Sequence, residues 1–384
     1  MSGFRYFELK VVPPLYSSPL TDLIIDLDYL RRKPLEGSTS PAIFFQLKSI
    51  FHMMESLASA RIEGNRTTIA DYIETKISPK PKRDFSIQEI ENMEECLAFI
   101  DEHSDALQLD RAFISELHKR VVKGLPPSPT GEGDRTPGMY RQFDAKIQNS
   151  NHVLPPPAYV ASYMDELFNF INHSDEPKYD LIKTAIAHHR FVWIHPFQNG
   201  NGRTVRLFTY AILVKHGFAI NRGRILNPAA VFCDNREDYY DNLSLADTGD
   251  PEKILMWCQY VLEGLKREIE KIDRLLDYSY LKDKILLPAI AYITERKMIS
   301  DLDSKILRKI ASIDSQQFVA GDIRDIIGAK YSSEVSRVIS RLKLAGFISA
   351  FENSPRKYYL RFDNNYLLRG IMNALYDEGF VRLR

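Results

Sequence analysis

Apolar residues along this chain recur mostly at helical spacing. The segments IFFQLKSIFHMMESLASARI, SIQEIENMEECLAFIDE, YVASYMDELFNFINH and YDLIKTAIAHHRFVWI each repeat hydrophobic side chains at intervals of three and four. They predict long helices facing a core. Strand-like alternation is scarce: GMYRQFDAKIQ, residues 138–148, reads as a hairpin, and SPRKYYLRF near the end of the chain is a second candidate. LPPSPTGEGDRTPG (125–138) reads as a loop from its proline and glycine content, and LPPPAYV (154–160) as a rigid extended turn leading into a helix. The expected protein is mainly α. It has a helical N-terminal region over 1–105, a helical core over 106–265, a helical connector over 266–300 and a small C-terminal domain over 301–384.

Composition narrows the setting. With 384 residues, 44% hydrophobic and 27% charged, the chain has the make-up of an ordinary soluble globular protein of two or three domains. Lys+Arg and Asp+Glu both total 51, so any role on nucleic acid or membrane must come from a local patch. The three cysteines, Cys96, Cys233 and Cys258, lie far apart without CxxC spacing, which disfavours a disulfide framework or a structural zinc. The first residues carry no apolar signal core, and no run approaches the ~18 apolar residues of a membrane span. The expectation is a cytoplasmic protein.

The stretch HPFQNGNGRTVR, His195 to Arg206, concentrates the candidate chemistry. A helix ends before Pro196, and a second begins near Arg203. Between them, Gly200, Asn201 and Gly202 permit the backbone that turns successive N–H groups inward as an anion nest. The positive end of the second helix points at the same place. Arg203 and Arg206 add two permanent charges that can fork around phosphate oxygens. His195 stands at the lip with a pKa suited to taking a proton from a hydroxyl. Cradle plus base implies transfer chemistry at a phosphate.

This stretch resembles the signature of the Fic family, HPFx(D/E)GNGRxxR, at all but one defined position. SARIEGN resembles the family's inhibitory-helix motif, (S/T)xxxE(G/N). GMYRQFDAKI followed by LPPPAYV resembles its flap hairpin and proline-rich turn, and NREDYYDNLSLADTGD the segment that closes over the nucleotide. The resemblance covers about residues 50–260. It implies a Fic-type helical bundle with a small β-hairpin flap. It also implies transfer of AMP from ATP, assisted by Mg²⁺ or Mn²⁺, to a Ser, Thr or Tyr hydroxyl of a target protein. His195 then matches the catalytic base, Phe197 a loop anchor, and Gly200, Asn201 and Gly202 the nest for the α- and β-phosphates. Arg203 matches the β-phosphate clamp and Arg206 the γ-phosphate clamp. The flap residues Arg141, Gln142, Phe143, Asp144, Ala145, Lys146 and Ile147 are expected to lend backbone groups to an extended target segment. Tyr240 and Asp247 stand where the family contacts adenosine.

Asn199 departs from the motif, because the family's acid there binds the metal ion. An asparagine oxygen is neutral and a poorer ligand for a hard cation. Weakened transfer, an altered metal preference and a phosphoryl-transferring variant are all compatible with it. Ser59 and Glu63 fall on one helical face, with Gly64 and Asn65 suited to ending that helix. In the family this glutamate inserts beside the second motif arginine, so the resemblance implies a Glu63–Arg206 pair and a self-inhibited enzyme. His188, His189 and Trp193 read as helix packing rather than a metal cluster or a base-stacking platform.

The segment from Phe318 to Phe362 looks like a winged helix-turn-helix. AGDIRDIIG supplies a first helix and a Gly-containing turn, YSSEVSRVISRLKLAG a recognition-type helix opened by a serine cap, and the YYL strand a wing. Residues 301–384 hold 14 Lys and Arg against 10 Asp and Glu, with Arg337, Arg341, Lys343, Arg356 and Lys357 on the helix and wing. That excess permits DNA contact without requiring it, and many winged helices mediate protein contacts or form a homodimer instead. The competing class is therefore a DNA-binding regulator whose core senses nucleotide. The sequence names no target protein.

Overall fold

The computed structural model describes residues 4–33, 37–77, 84–147, 150–173, 176–218, 228–233 and 235–381. The helices of the first part are α1 (Pro19–Arg32), α2 (Pro41–Ile62), α3 (Ile69–Ile77), α4 (Phe85–Glu102), α5 (Arg111–Val121), α6 (Pro157–Asn172), α7 (Asp180–Ile194), α8 (Asn201–Lys215), α9 (Pro228–Cys233), α10 (Arg236–Ala246) and α11 (Pro251–Asp273). The remainder holds α12 (Tyr278–Tyr280), a π-helical turn at Leu281–Leu286, α13 (Leu287–Glu295), α14 (Asp301–Ala311), β1 (Phe318–Val319), α15 (Arg324–Ile327), α16 (Ser332–Leu344), β2 (Ile348–Phe351), β3 (Ser354–Leu360) and α17 (Leu367–Asp377). The chain forms two compact units, and neither is one continuous stretch. The first comprises residues 1–35, 55–66 and 83–269; the second comprises 36–54, 67–82 and 270–384. α2 therefore contributes its first half to one unit and its second half to the other.

The first unit is built around α7 and α8. Almost every residue of α7 from Leu181 to Ile194 is buried, and so is almost all of α8 from Asn201 to Val214. A helix apolar all round must be wrapped by others. Accordingly α6 packs on α7, while α4 and α5 pack on α8. Trp257 of α11 is fully buried and donates its indole N–H to the Ala185 carbonyl of α7 at 2.7 Å. Side-chain caps fix the starts of the outer helices: Ser18 for α1, Asp84 for α4 and Asp110 for α5 each accept a backbone N–H of the first turn. His188, as the sequence suggested, is a satisfied core residue bonded to Thr209 and Tyr239.

The second unit carries the sheet, antiparallel in the order β1-β3-β2. The strand expected in SPRKYYLRF is β3. Gly328, at φ 65°, ends α15 and makes the turn into α16. The cap of α16 differs from expectation. Glu334, three residues in, reaches back to the N–H groups of Lys330 (2.9 Å) and Tyr331 (3.3 Å), so a carboxylate rather than a serine opens the helix. Gln46 of α2 bonds both the Leu360 carbonyl and the Phe362 N–H, tying α2 to the end of β3.

Residues 138–147, read as a hairpin, have no strand pairing among the described residues, and Gln148 lies outside them. Met139 and Phe143, two of their apolar side chains, are exposed rather than buried, so no hydrophobic face holds a neighbouring strand against them.

Candidate active site

α7 stops at His195, whose backbone is left-handed (φ 52°, ψ 64°). A non-glycine residue in that region is strained and persists only where its surroundings enforce it. Arg141 does the enforcing. Its buried guanidinium donates from Nε to the His195 carbonyl (2.8 Å) and from Nη2 to the carbonyls of Pro155 (2.6 Å) and Ile194 (3.3 Å). Its backbone N–H donates to the Pro196 carbonyl at 2.8 Å. These include carbonyls that a helix C-terminus leaves without intrahelical partners. Burial first, and then the Arg141 charge, push the His195 imidazole down to about 4, with Glu63 and the Val192 carbonyl pulling back. At neutral pH the ring is uncharged and able to accept a proton.

The loop after His195 is braced by side chains that bond backbone. Asn201 accepts the Phe197 N–H at 2.9 Å and donates to the Phe197 carbonyl at 2.8 Å. The Phe197 ring stacks on His118 with centroids 3.7 Å apart and planes 2° from parallel. His118 Nδ1 accepts the Gly138 N–H (2.8 Å), so Nε2 carries the proton and donates to the Asn199 carbonyl (3.0 Å). Burial pushes this imidazole down to about 4, which keeps it neutral for both bonds. The Asn199 side chain accepts the Gly200 N–H at 2.8 Å and donates to the Gly133 carbonyl at 3.1 Å, while its own N–H donates to Asp134 at 3.1 Å.

α8 begins at this loop, with Gly200 left-handed at φ 75°. Glu63 stands against the start of the helix: a Cβ on Gly202 would lie 2.1 Å from Glu63 Oε1. Only glycine admits the carboxylate so close to the backbone. Arg206, 1% exposed, donates from Nε to Ser59 Oγ (2.7 Å) and from Nη2 to the Ser59 carbonyl (2.9 Å) and Glu63 Oε1 (2.8 Å). Burial alone would raise the Glu63 carboxyl, but Arg206 and Arg203 outweigh it and hold the group below its usual range. Gly64, at φ 106°, ends α2 directly after Glu63. Arg203, also 1% exposed, meets Glu89 at 3.0 Å and Glu132 at 3.2 Å.

One of the expected roles changes. The Asn199 amide, expected as a poor cation ligand, accepts from Gly200 and donates to Gly133. Among the described residues no group of three His, Cys, Asp or Glu side chains could hold a metal ion. Arg141 is not a free flap residue, because its N–H donates to Pro196 and its guanidinium to the carbonyls of Ile194, His195, Pro155 and Phe143. The rest of the flap, Gln142, Phe143, Asp144, Ala145, Lys146 and Ile147, donates no backbone N–H to another backbone group among the described residues, and Phe143 is 74% exposed. Beside it lies a cavity of about 530 Å³ whose lining includes Arg135, Tyr140, Gln142, Phe143, Gln198 and Asn199. The Asp247 carboxylate is bonded to His189 at 2.9 Å and stands 3.6 Å from His152, and Tyr240 is half-exposed on α10. Sequence reasoning missed His118, Glu132, Asp134 and Glu89. Each lies on an element remote in sequence from the loop it serves, with no motif to mark it.

Residues 108–213 match the model of the Fic/DOC family. The matched span runs from just before α5 into α8 and includes His118, the flap and the whole His195–Arg206 loop. A protein adenylyltransferase Fic from Nematostella vectensis is 30% identical over 245 residues, which is 62% of this chain and 50% of that protein. One from Drosophila grimshawi is 30% identical over 197 residues, 50% of this chain and 37% of its own. The chain thus spans half or less of the length of these relatives. A solved Fic family protein from Desulfovibrio desulfuricans G20 superposes with a TM-score of 0.51 at 20% identity, over 91% of this chain and 98% of that one. A Fic domain containing signaling protein from Bacteroides thetaiotaomicron gives 0.53 at 17%, over 67% and 98%. Those two likenesses establish the fold.

His118→Phe keeps a ring against Phe197 and removes both bracing hydrogen bonds, leaving two backbone groups unpaired. It is expected to cost on the order of 2–4 kcal/mol of stability, read by thermal or denaturant unfolding. A cost near zero would mean the loop holds itself. A pH effect follows from Glu55, buried on α2 one turn before Ser59, where it accepts the Ala229 N–H at 2.8 Å. Burial pushes its pKa up to about 8. A carboxyl raised from its ordinary value contributes stability below that value and loses it as pH rises toward 8. The melting temperature should therefore fall relative to Glu55→Gln between pH 5 and pH 9; parallel curves would exclude Glu55 as the cause.

Proposed function

We propose that this protein is a self-inhibited protein adenylyltransferase that moves AMP from ATP onto Ser, Thr or Tyr hydroxyls of target proteins. The observation that carries the reading is Glu63. A carboxylate seated on the Gly202 backbone and bonded to Arg206 occupies an anion cradle with one of the chain's own anions. The names of the curated relatives, protein adenylyltransferase Fic, favour the same chemistry.

On this reading Glu63 withdraws with the end of α2, and the triphosphate takes its place at Arg206, Arg203 and the N-terminus of α8. A target segment adds to the flap N–H groups, which have no backbone partner among the described residues, and brings its hydroxyl to His195. The neutral imidazole accepts the hydroxyl proton as the oxygen attacks the α-phosphorus. The bond from the α-phosphorus to the bridging oxygen breaks, and pyrophosphate leaves with the negative charge that the arginines stabilise. Arg141 acts as a positioning residue, holding His195 where the proton is taken.

A second reading concerns the C-terminal domain, whose helices α14 to α16 and hairpin we read as a winged helix-turn-helix. On α16, Ser332, Ser333, Ser336, Arg337 and Ser340 are all exposed, as are Arg356 and Lys357 on β3. Arg341, counted with them from sequence, pairs instead with Asp303 at 2.8 Å. Hydroxyls and unpaired cations on one helix and a wing suit duplex DNA.

The deciding experiment incubates Glu63→Gly protein with ATP labelled on the α-phosphate, with and without divalent cation, beside a His195→Ala version and γ-labelled ATP. Label from the α-position on protein is expected to rise at least about tenfold over the unaltered chain and to vanish without His195. Transfer from the γ-position alone would replace the proposal with phosphoryl transfer, and no label at all would remove it. For the second reading, a fluorescent duplex should bind with affinity that falls steeply with salt, and Arg337→Ala with Lys357→Ala should flatten that slope by about one to two. Failure to bind at low salt retires it.

A further inference from the structure

Arg206 is not the only cradle arginine already holding an anion. Arg203 Nη2 donates to the Glu132 carbonyl at 2.7 Å and to Glu132 Oε2 at 3.2 Å, while Nη1 lies 3.0 Å from Glu89 Oε1. The two carboxylates differ in kind. Glu89 is 3% exposed on α4 and also accepts from Asn65, two residues after Glu63, at 2.7 Å. It is a fixed counter-charge for a buried cation. Glu132 has a side chain 45% exposed and sits on a loop between Gly131 and Gly133.

That loop is pinned beside Glu132 without pinning its carboxylate. Gly133 donates its N–H to the Pro126 carbonyl at 2.7 Å, and a Cβ on it would lie 2.2 Å from the Leu125 carbonyl. Asp134 accepts the Asn199 N–H, and the Glu132 carbonyl accepts from Arg203. The backbone thus holds Arg203 and the motif loop, while the half-exposed side chain can rotate into water with no backbone change.

We propose that Glu132 is a second self-inhibitory acid, occupying at Arg203 the place of a nucleotide phosphate as Glu63 does at Arg206. This rests on reading the cradle as the ATP phosphate site. Binding a triphosphate then requires two carboxylates to leave: Glu63 by movement of α2, Glu132 by turning its side chain. With Glu132 in place, two anions compete for one guanidinium and repel each other. Glu132 accordingly governs nucleotide affinity rather than the proton-transfer step.

The test uses the full chain carrying Glu63→Gly, with or without Glu132→Gln, which keeps the size and backbone and removes the charge. Dissociation constants for a non-hydrolysable ATP analogue are measured by calorimetry, together with KM and kcat for AMP transfer and a melting curve for each variant. The double variant is expected to bind the analogue about five- to tenfold tighter than Glu63→Gly, with KM lowered similarly and kcat little changed. Glu132→Ala in the same background, which removes the whole carboxylate arm, should reproduce the gain. Equal or weaker binding by both Glu132 variants, with melting unchanged, overturns the inference while leaving the adenylyltransferase reading intact. A fall in kcat at constant KM also overturns it, since Glu132 would then support chemistry rather than block binding. No nucleotide binding by any variant removes the reading of the site and this inference with it.

Discussion

A guanidinium sealed inside a protein needs either a set of carbonyls, as Arg141 has, or an anion beside it. Arg206 is 1% exposed, and the cost of removing its charge from water is met only if a carboxylate or a phosphate completes the site. Glu63 completes it here, helped by the Ser59 hydroxyl and carbonyl. Much of the first unit follows from that requirement. α8 has to be buried along nearly its whole length to carry Arg203 and Arg206 inward, α7 has to pack beside it, and the end of α2 has to reach the helix start. Glycine at 202 is needed because the anion approaches the backbone itself.

Besides Arg141 and Asp134, the loop that joins α7 to α8 is held by the neutral side chains of His118, Asn199 and Asn201, and that accounts for Asn199. Its amide must accept from Gly200 and donate to Gly133 at once. A carboxylate could not make the second bond. It would also stand close to Asp134, which already accepts the Asn199 N–H. The amide at this position is thus fitted to its two partners, whatever it forgoes as a cation ligand. His118 and His195 are likewise kept uncharged by burial, and His118 uses both ring nitrogens to bridge two loops.

What the sequence made legible was local. The His195–Arg206 motif sits on contiguous backbone, and Ser59 with Glu63 share a helical face, so spacing alone placed them together. The long helices were readable from their apolar period for the same reason. Long-range pairings were not readable. Nothing in LHKR marks His118 as a bridge between Gly138 and Asn199, and nothing in TGEGD marks Glu132 as facing Arg203. The 138–147 segment alternates like a strand, but a strand also needs a neighbour, and that information is not in the segment. Arg141 looked like a flap residue because it is next to the flap; its side chain turns the other way, toward unpaired carbonyls at the end of α7.

On the proposed reading, activation is an exchange of anions rather than the loss of one. Removing Glu63 without a replacement would leave Arg206 as a buried bare charge, which is strongly unfavourable. A triphosphate that arrives as Glu63 departs avoids that state, so the cost of opening falls mainly on displacing the end of α2. Nucleotide and inhibitory helix are then linked: whatever loosens α2 must raise nucleotide affinity, and nucleotide must loosen α2 by the same free energy. Arg203 fits the same logic on a smaller scale, because Glu89 remains beside it in either state and only the half-exposed Glu132 has to move.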